Sequence, residues 1–374
     1  MDEQLSLEGQ WQGPAYSEGA QGLAIIDIDA EFDCYRGTAR LFIEGEPGAT
    51  SEFQTRDKQH QTVEFFGLHL SWIPEDRAMC FSGPAIRLEQ PDVQFPDKVD
   101  LSFALEGNNL IAKWKTDLGR EGRAELEKSA AARPSEIRVE EISNWEAFKA
   151  FSLEQKPWKP IYRGQAESFR LRTKFHRSHR KDLVKYVSID IPLAYRTLTA
   201  RTNHLFDLTS AEQNGAFLNL LQHHGYPTPL LDWTYSPFVA AFFAYRKKQS
   251  SQAPSDKIRI LHFDREAWMR DFAQLQVINF AHPHFSVLEA LAIENPRALP
   301  QQSLSTLTNI DDIESYVSRC EKKTGQKYLS AIDLPASQRR EVMIELSLMG
   351  ITAGSLFPGI DGACEELSGR MFHP

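Results

Sequence analysis

The stretch richest in reactive side chains runs from Phe217 to Tyr245, FLNLLQHHGYPTPLLDWTYSPFVAAFFAY. Gln222, His223, His224, Asp232, Thr234 and Ser236 bring an amide, two imidazoles, a carboxylate and two hydroxyls into one short seam. His223 suits general acid–base work, because an imidazole titrates near neutrality. Asp232 is the acidic candidate, since it lies inside the same seam. A Ser-His-Asp hydrolase built from Ser236, His223 and Asp232 is disfavoured, because no Gly-x-Ser-x-Gly elbow surrounds Ser236. The seam also admits a structural reading. Ser236 or Thr234 would cap a helix, Asp232 would hold a turn, and the histidines would be satisfied in the core.

The elements that position these residues follow from local chemistry. Leu218, Leu220 and Leu221 read as the end of a helix that stops at His223. Gly225, Pro227 and Pro229 interrupt regular structure. Pro237 stands where a helix begins, a position at which its missing N–H costs nothing. The FVAAFFAY run after it is apolar on nearly every side, so that helix is expected to be buried. Buried polar groups must find partners, which makes the turn feeding this helix a place to build a rigid site.

At 374 residues with net charge −9 and a pI near 5.7, the chain is long enough for two or three domains and too acidic for a generally basic nucleic-acid binder. Cys34, Cys80, Cys320 and Cys364 are far apart, with no metal-like spacing, and read as reduced thiols of a cytoplasmic protein. No metal site is expected. The first residues, MDEQLSLEGQ, are acidic and polar, without a secretory pattern, and no apolar run approaches a membrane span.

Residues 1–128 read as an all-β barrel or sandwich, an accessory or sensing domain. Strands are expected at Leu23–Asp29, Tyr35–Ile43, Thr62–Trp72, Ala78–Leu88, Val99–Leu105 and Leu110–Trp114, with a turn at Glu106–Asn109. Asp100, Ser102 and Ala104 alternate with Leu101, Phe103 and Leu105, as half-buried strands require. Trp11, Tyr16, Trp72 and Trp114 either line a pocket or fill the core. Residues 129–140 form a short polar linker, and residues 141–374 an α+β domain. There Ser143 and Ser337 are the expected N-caps of two helices, residues 190–216 are helical, and a last short helix runs to about Leu367. A basic run, Arg170, Arg172, Lys174, His176, Arg177, His179, Arg180 and Lys181, is either a solvated face or a phosphate-facing surface.

Three segments, in order, resemble the FRG domain, named for its Phe/Tyr-Arg-Gly motif. They are Tyr162-Arg163-Gly164-Gln165, the seam Gln222–Pro237 with Ala240 and Ala241, and Gly350-Ile351-Thr352 with Leu356–Gly362. The resemblance spans about residues 140–370. A second resemblance is to ADP-ribosyltransferases of the Arg-Ser-Glu type, which share a Tyr-Arg-Gly strand and a later Ser-Thr-Ser strand followed by a helix. Thr234-Tyr235-Ser236 and Ala240–Ala244 are similar to that second element. This likeness implies an ADP-ribosyltransferase-like fold with NAD+ across these strands. Arg163, His223, Asp232, Thr234 and Ser236 would be catalytic, and Tyr162, Gly164, Gln165, Gln222, Trp233 and Tyr235 would contact the cofactor. A carboxylate would stabilise the charge that develops on ribose when nicotinamide leaves, and a fixed cation would neutralise the pyrophosphate. The family's late Gln-x-Glu is replaced by Gln301-Gln302-Ser303. Glu294, Glu341, Glu345 and Asp361 are other carboxylates, none in motif.

Two functions are therefore expected. One is an NAD+-dependent ADP-ribosyltransferase or NAD+ glycohydrolase acting as a toxin-like or phage-defence effector. Its acceptor, protein or nucleic acid, would dock on the 170–181 run, and a partner or antitoxin protein would restrain it. The alternative is a non-catalytic nucleotide- or partner-binding module that keeps the fold.

Overall fold

The computed structural model describes residues 6–372 apart from 47, 56, 59–61, 67–68, 74–80, 83–87, 89–93, 249–252, 254 and 279–281. The N-terminal part is one antiparallel sheet of β1 (Gly9–Ser17), β2 (Ala20–Ala30), β3 (Tyr35–Ile43), β4 (Gly48–Gln54), β5 (Thr62–Phe66), β6 (His69–Ile73), β7 (Phe81–Ser82), β8 (Val99–Glu106), β9 (Asn109–Thr116) and β10 (Glu121–Lys128). Its order is β5-β8-β9-β10-β1-β2-β3-β4-β6-β7, curled into a half-barrel around one core. The period-2 pattern explains that core. Leu101 and Phe103 of β8 point in. So do Ala24, Ile26 and Ile28 of β2, with Ile26 opposite Trp11 across the β1–β2 ladder. Gly107, at φ 62°, makes the tight turn expected between β8 and β9. Most of the expected Ala78–Leu88 strand, Cys80 and the side chain of Trp72 lie outside the described residues.

The second part is α+β. Its sheet contains β11 (Ile161–Gln165), β12 (Leu230–Thr234), β13 (Lys257–Phe263), β14 (Phe285–Leu288), β15 (Ser303–Thr308) and β16 (Leu329–Pro335), in the antiparallel order β14-β15-β12-β11-β13-β16. The helix Pro237–Arg246 covers one face together with helices Trp145–Glu154 and Arg339–Leu348. Helices Arg265–Asp271 and Ile313–Thr324 pack against the other. Several expected boundaries move. Asn144, not Ser143, caps the Trp145–Glu154 helix, accepting from Ala147 N. Ser337 falls inside a 3-10 turn, Ala336–Gln338, and caps nothing. The 190–216 region is two helices, Ile191–Leu198 and Ala211–His223, the second capped by Ser210. The last helix extends over Ile360–Phe372. No helix among the described residues is long and apolar enough to cross a membrane.

The linker is not a free tether. Val139 bridges Ala331 of β16 in parallel, and Glu140 N donates to Ala331 O at 2.8 Å. The two parts meet along the outer face of the half-barrel. There Ile25, Asp27 and Asp29 are buried although they point away from the barrel core. Asp27 pairs with Arg40 at 2.5 Å and accepts from Gln10 Nε2 at 2.7 Å. Gln10 in turn receives Asp311 N at 2.9 Å and donates to Asn309 O at 3.0 Å. Asp29 takes Arg180 Nε at 2.8 Å and the backbone N–H groups of Lys181 and Asp182. Phe42 stacks on His282, with ring centroids 5.1 Å apart.

Burial is the main cause that raises Asp27 from the ordinary 3.8 to about 6, with Arg40 opposing. An acid with a higher pKa folded than unfolded holds its proton more tightly in the native state. Its contribution is therefore full below about pH 4 and is lost as pH rises towards 6. We expect the stability of the parent relative to Asp27→Asn to fall by about 3 kcal/mol between pH 4 and 7. Urea unfolding of both proteins across that range measures it, and a difference that does not vary with pH would exclude the effect. A second expectation concerns Arg170, which clamps Asp312 with Nε at 2.9 Å and Nη2 at 3.0 Å in a buried site. Arg170→Ala strands the Asp312 charge and should destabilise the chain by about 3–5 kcal/mol in the same assay at pH 7.

Candidate functional site

The site is a joint in the second sheet. Strand β12 pairs with β15 over five residues and β11 with β13 over five, but β11 and β12 meet at one pair, Tyr162↔Thr234. Beyond that pair the strands part. Arg163 sits where they separate, and its Nη1 reaches across to the Asp232 carbonyl at 2.6 Å. The Arg163 Nε is buried without a hydrogen-bond partner among the described residues. Burial lowers its pKa, Asp232 opposes that shift, and Arg177 adds to it. Asp232 accepts from Gln222 Nε2 at 3.2 Å on one carboxylate oxygen, while the other, Oδ1, is buried without a partner among the described residues.

The Tyr-Arg-Gly strand owes its composition to this joint. Tyr162, 1% exposed, points into the core beneath the Pro237–Arg246 helix, and its buried hydroxyl has no partner among the described residues. Gly164 lies directly under that helix, where an added Cβ would stand 1.9 Å from the Ala240 carbonyl oxygen. Ala240, Ala241 and Ala244 keep the helix side of the contact equally thin. Arg163 and Gln165 instead line a cleft of about 670 Å³ at the parted end of the strands. Arg133, Arg172 and Arg177 line it too, with Glu167 as its acid.

Of the basic run, most is turned inward. Arg170 and Arg172 are bidentate to Asp312 and Asp311. Arg180 spans Asp29 and Asp190, at 2.8 Å each. Lys181 is buried on the Ser178 and Arg180 carbonyls. His176 is fully buried, bonded to Thr173 at 2.7 Å, and burial drives its pKa well down, so it is neutral. His179 meets Glu8 at 3.0 Å, and Lys174 donates to the Gly225 carbonyl. Arg177 alone of the run's arginines has no carboxylate partner among the described residues, and it stands at the cleft. The run thus offers the cleft one free guanidinium rather than a broad basic surface.

The other candidates divide. Gln222 holds the turn before β12, taking the Thr228 hydroxyl and donating to Leu230 O at 3.3 Å as well as to Asp232. His223 does not face the Arg163 cleft. Its Nδ1 bonds Asn295 Oδ1 at 2.8 Å, and Asn295 continues through Asn219 to Ser305. Thr234 donates to the Gln301 carbonyl at 2.7 Å and accepts from Ser236 N at 3.0 Å. Ser236 accepts from Val239 N at 3.2 Å, the helix cap that the structural reading anticipates. Trp233 is core, 2% exposed, with its indole N–H on Thr306 at 3.0 Å. Tyr235 and Ser236, with Tyr162, line a smaller recess of about 230 Å³ beside Trp158, Phe238 and Gln302. Tyr235 packs edge-on to Trp158 at 5.2 Å, and burial pushes its phenol up to about 12.

Arg133 was not among the sequence candidates. It sits in the polar linker next to Pro134, and only the fold brings it over the cleft. Elsewhere, Glu146, Glu341 and Glu345 cluster closely enough to hold a metal ion, but the group is largely exposed and Lys149 already bridges Glu146 and Glu345 at 2.7 Å each. The shared helix face of Glu341 and Glu345 is thus partly a salt-bridged surface.

A direct check of the joint is Gly164→Ala. The atom it would strike is backbone, so relief requires moving the helix. We expect a loss of about 3 kcal/mol or more in thermal or urea unfolding. A variant as stable as the parent would mean that the helix tolerates displacement and that the glycine has another purpose.

Residues 159–253 match the FRG domain family. No curated protein matches the chain. Among solved structures, the redesigned β barrel mFAP1 bound to DFHBI is 13% identical with a TM-score of 0.24, and covers 33% of this chain and 94% of that one. The related barrel mFAP0 bound to DFHBI is likewise 13% identical at a TM-score of 0.24, covering 33% and 98%. Likeness at that level bears on neither fold nor ligand here. The matched span is shorter than the 140–370 suggested by motif, yet it contains β11, the Gln222–Pro237 seam and the helix that closes the joint: this half of the chain carries an FRG domain.

Proposed function

We propose that the FRG domain is a nucleotide-binding module, and that the parted end of β11 and β12 receives a phosphate-bearing ligand of the NAD+ class. One observation carries this reading. Arg133, Arg163 and Arg177 line a single cleft of about 670 Å³, and none of the three has a carboxylate partner among the described residues. Unpaired guanidiniums converging on a cleft repel one another, and a pyrophosphate relieves that repulsion while accepting their planar donor forks. The cleft volume lies in the usual range for small-molecule sites.

Catalysis at the same place is the second reading. It rests on the buried, unpartnered Oδ1 of Asp232 beside Arg163. A carboxylate held near a developing ribose cation lowers the barrier to losing nicotinamide. Asp232 stands behind Arg163 rather than in the lining of its cleft, and His223 and Ser236 do not line it either, which favours binding over transfer.

Calorimetric titration of the full chain with NAD+, ADP-ribose and inorganic phosphate tests the proposal. Arg177→Ala and Arg133→Ala should each weaken NAD+ binding about tenfold or more, the worth of a charge-assisted hydrogen bond. Nicotinamide release is followed in parallel, with cell extract present to supply an acceptor. Release abolished by Asp232→Asn would select the enzyme. If NAD+ and ADP-ribose neither bind nor are consumed, the cleft is not a nucleotide site.

A further inference from the structure

Strands β2 and β3 have two different faces. Outward, Asp29 meets Arg180 and Lys181 of the FRG half, and Asp27 and Arg40 pair with each other on the same face. Inward, the same strands present Ala24, Ile26, Ala39 and Leu41 to the barrel interior. Interior positions elsewhere carry Trp11 and Phe53, which fill the space around them. The methyl-sized residues Ala24, Ala39, Ala49 and Ala112 do not fill theirs, and a cavity of about 110 Å³ remains among them. Phe103, Leu101 and Trp114 complete its apolar wall. Trp114 is held firmly there: its indole lies flat on Gly122, where an added Cβ would be 2.0 Å from the ring. Towards one end the lining turns polar, with Ser17, Thr116 and the Glu46–Arg120 ion pair at 3.2 Å.

Barrel cores of this kind are either filled by side chains or hold one small ligand. An apolar void near this size excludes water and accepts a molecule such as benzene. We propose that the interior of the N-terminal half-barrel is a binding site for a small, uncharged, largely apolar molecule about the size of benzene. Charged compounds are excluded, because the ionised groups of the lining are already committed among the described residues, Arg40 to Asp27 and Arg120 to Glu46, and none is left to compensate a desolvated ligand charge. Entry is at the polar end, past Glu46 and Arg120. The site is separate from the arginine cleft and does not depend on what that cleft binds.

The probe is fluorobenzene, followed by ¹⁹F NMR linewidth with the full-length chain, together with thermal unfolding in benzene. The parent should broaden the fluorobenzene signal saturably, and benzene should raise its melting temperature, as any ligand of the native state does. Ala112→Leu and Ala39→Leu, which fill the cavity from different strands, should each weaken fluorobenzene binding at least tenfold. Using both keeps the test sound if one fails to fold. A fluorobenzene signal unaffected by the parent, or broadened equally by the folded filled variants, would overturn the proposal.

Discussion

The structure depends on one set of complementary charges. Asp27 and Asp29 on the barrel, and Asp311 and Asp312 at the start of the Ile313–Thr324 helix, absorb Arg40, Arg180, Arg172 and Arg170. Buried ion pairs contribute little net stability, because desolvation offsets the attraction, but breaking one strands a charge at high cost. Their effect is therefore to specify an arrangement. The segment from Arg170 to Lys181 has one placement in which these cations find their acids, and it runs between barrel and sheet. Gln10 ties the two halves of this lattice together, with its amide on Asp27 and its oxygen receiving Asp311 N.

That constraint shapes the cleft. Once Arg170, Arg172 and Arg180 are neutralised internally, the arginines left in the cleft without a carboxylate partner among the described residues are Arg133, Arg163 and Arg177. A concentrated field in a partly enclosed cleft is more selective for an anion than the same charge spread over a surface. Arg177 owes its position to the one-turn helix Lys174–Arg177, capped by Thr173 and anchored by the buried Phe175 and His176. Arg133 comes from a linker fastened to β16 through Val139 and Glu140. The cleft thus draws on the linker, the central strand and the Arg170–Lys181 segment together.

How far this was legible in the sequence varied with the range of the interactions. Strand alternation marked the inner face of the half-barrel, because period-2 burial is a local property of the chain. The outer face was not legible. Asp29 looks like a solvated edge until Arg180 and Lys181, some 150 residues later, are known to cover it, and Asp27 until Gln10, which holds it, is known to reach Asn309 and Asp311. The basic run was ambiguous for the same reason, since its partners lie in two remote segments. Cap positions shifted by one or two residues where two polar side chains compete, as at Ser143 and Asn144. The seam residues are adjacent in sequence but part in space. Gln222, Asp232 and Arg163 meet at the joint, whereas His223 turns towards Asn295 and Ser236 towards its helix.

The Tyr-Arg-Gly strand shows how a motif can serve architecture and chemistry at once. Alternation sends Tyr162 into the core beneath the helix and Arg163 to the opposite side, where the strands part and the Asp232 carbonyl needs a donor. The next residue returns to the helix side at its closest approach, and only glycine fits under Ala240. Lysine at 163 would carry the charge but lacks the fork that can hold Asp232 O with one nitrogen while keeping others for the cleft. The order of the three residues therefore follows from one sheet joint covered by one close-packed helix. A guanidinium that braces this joint is also fixed in place before any ligand arrives, so binding at Arg163 would not require the side chain to be ordered first.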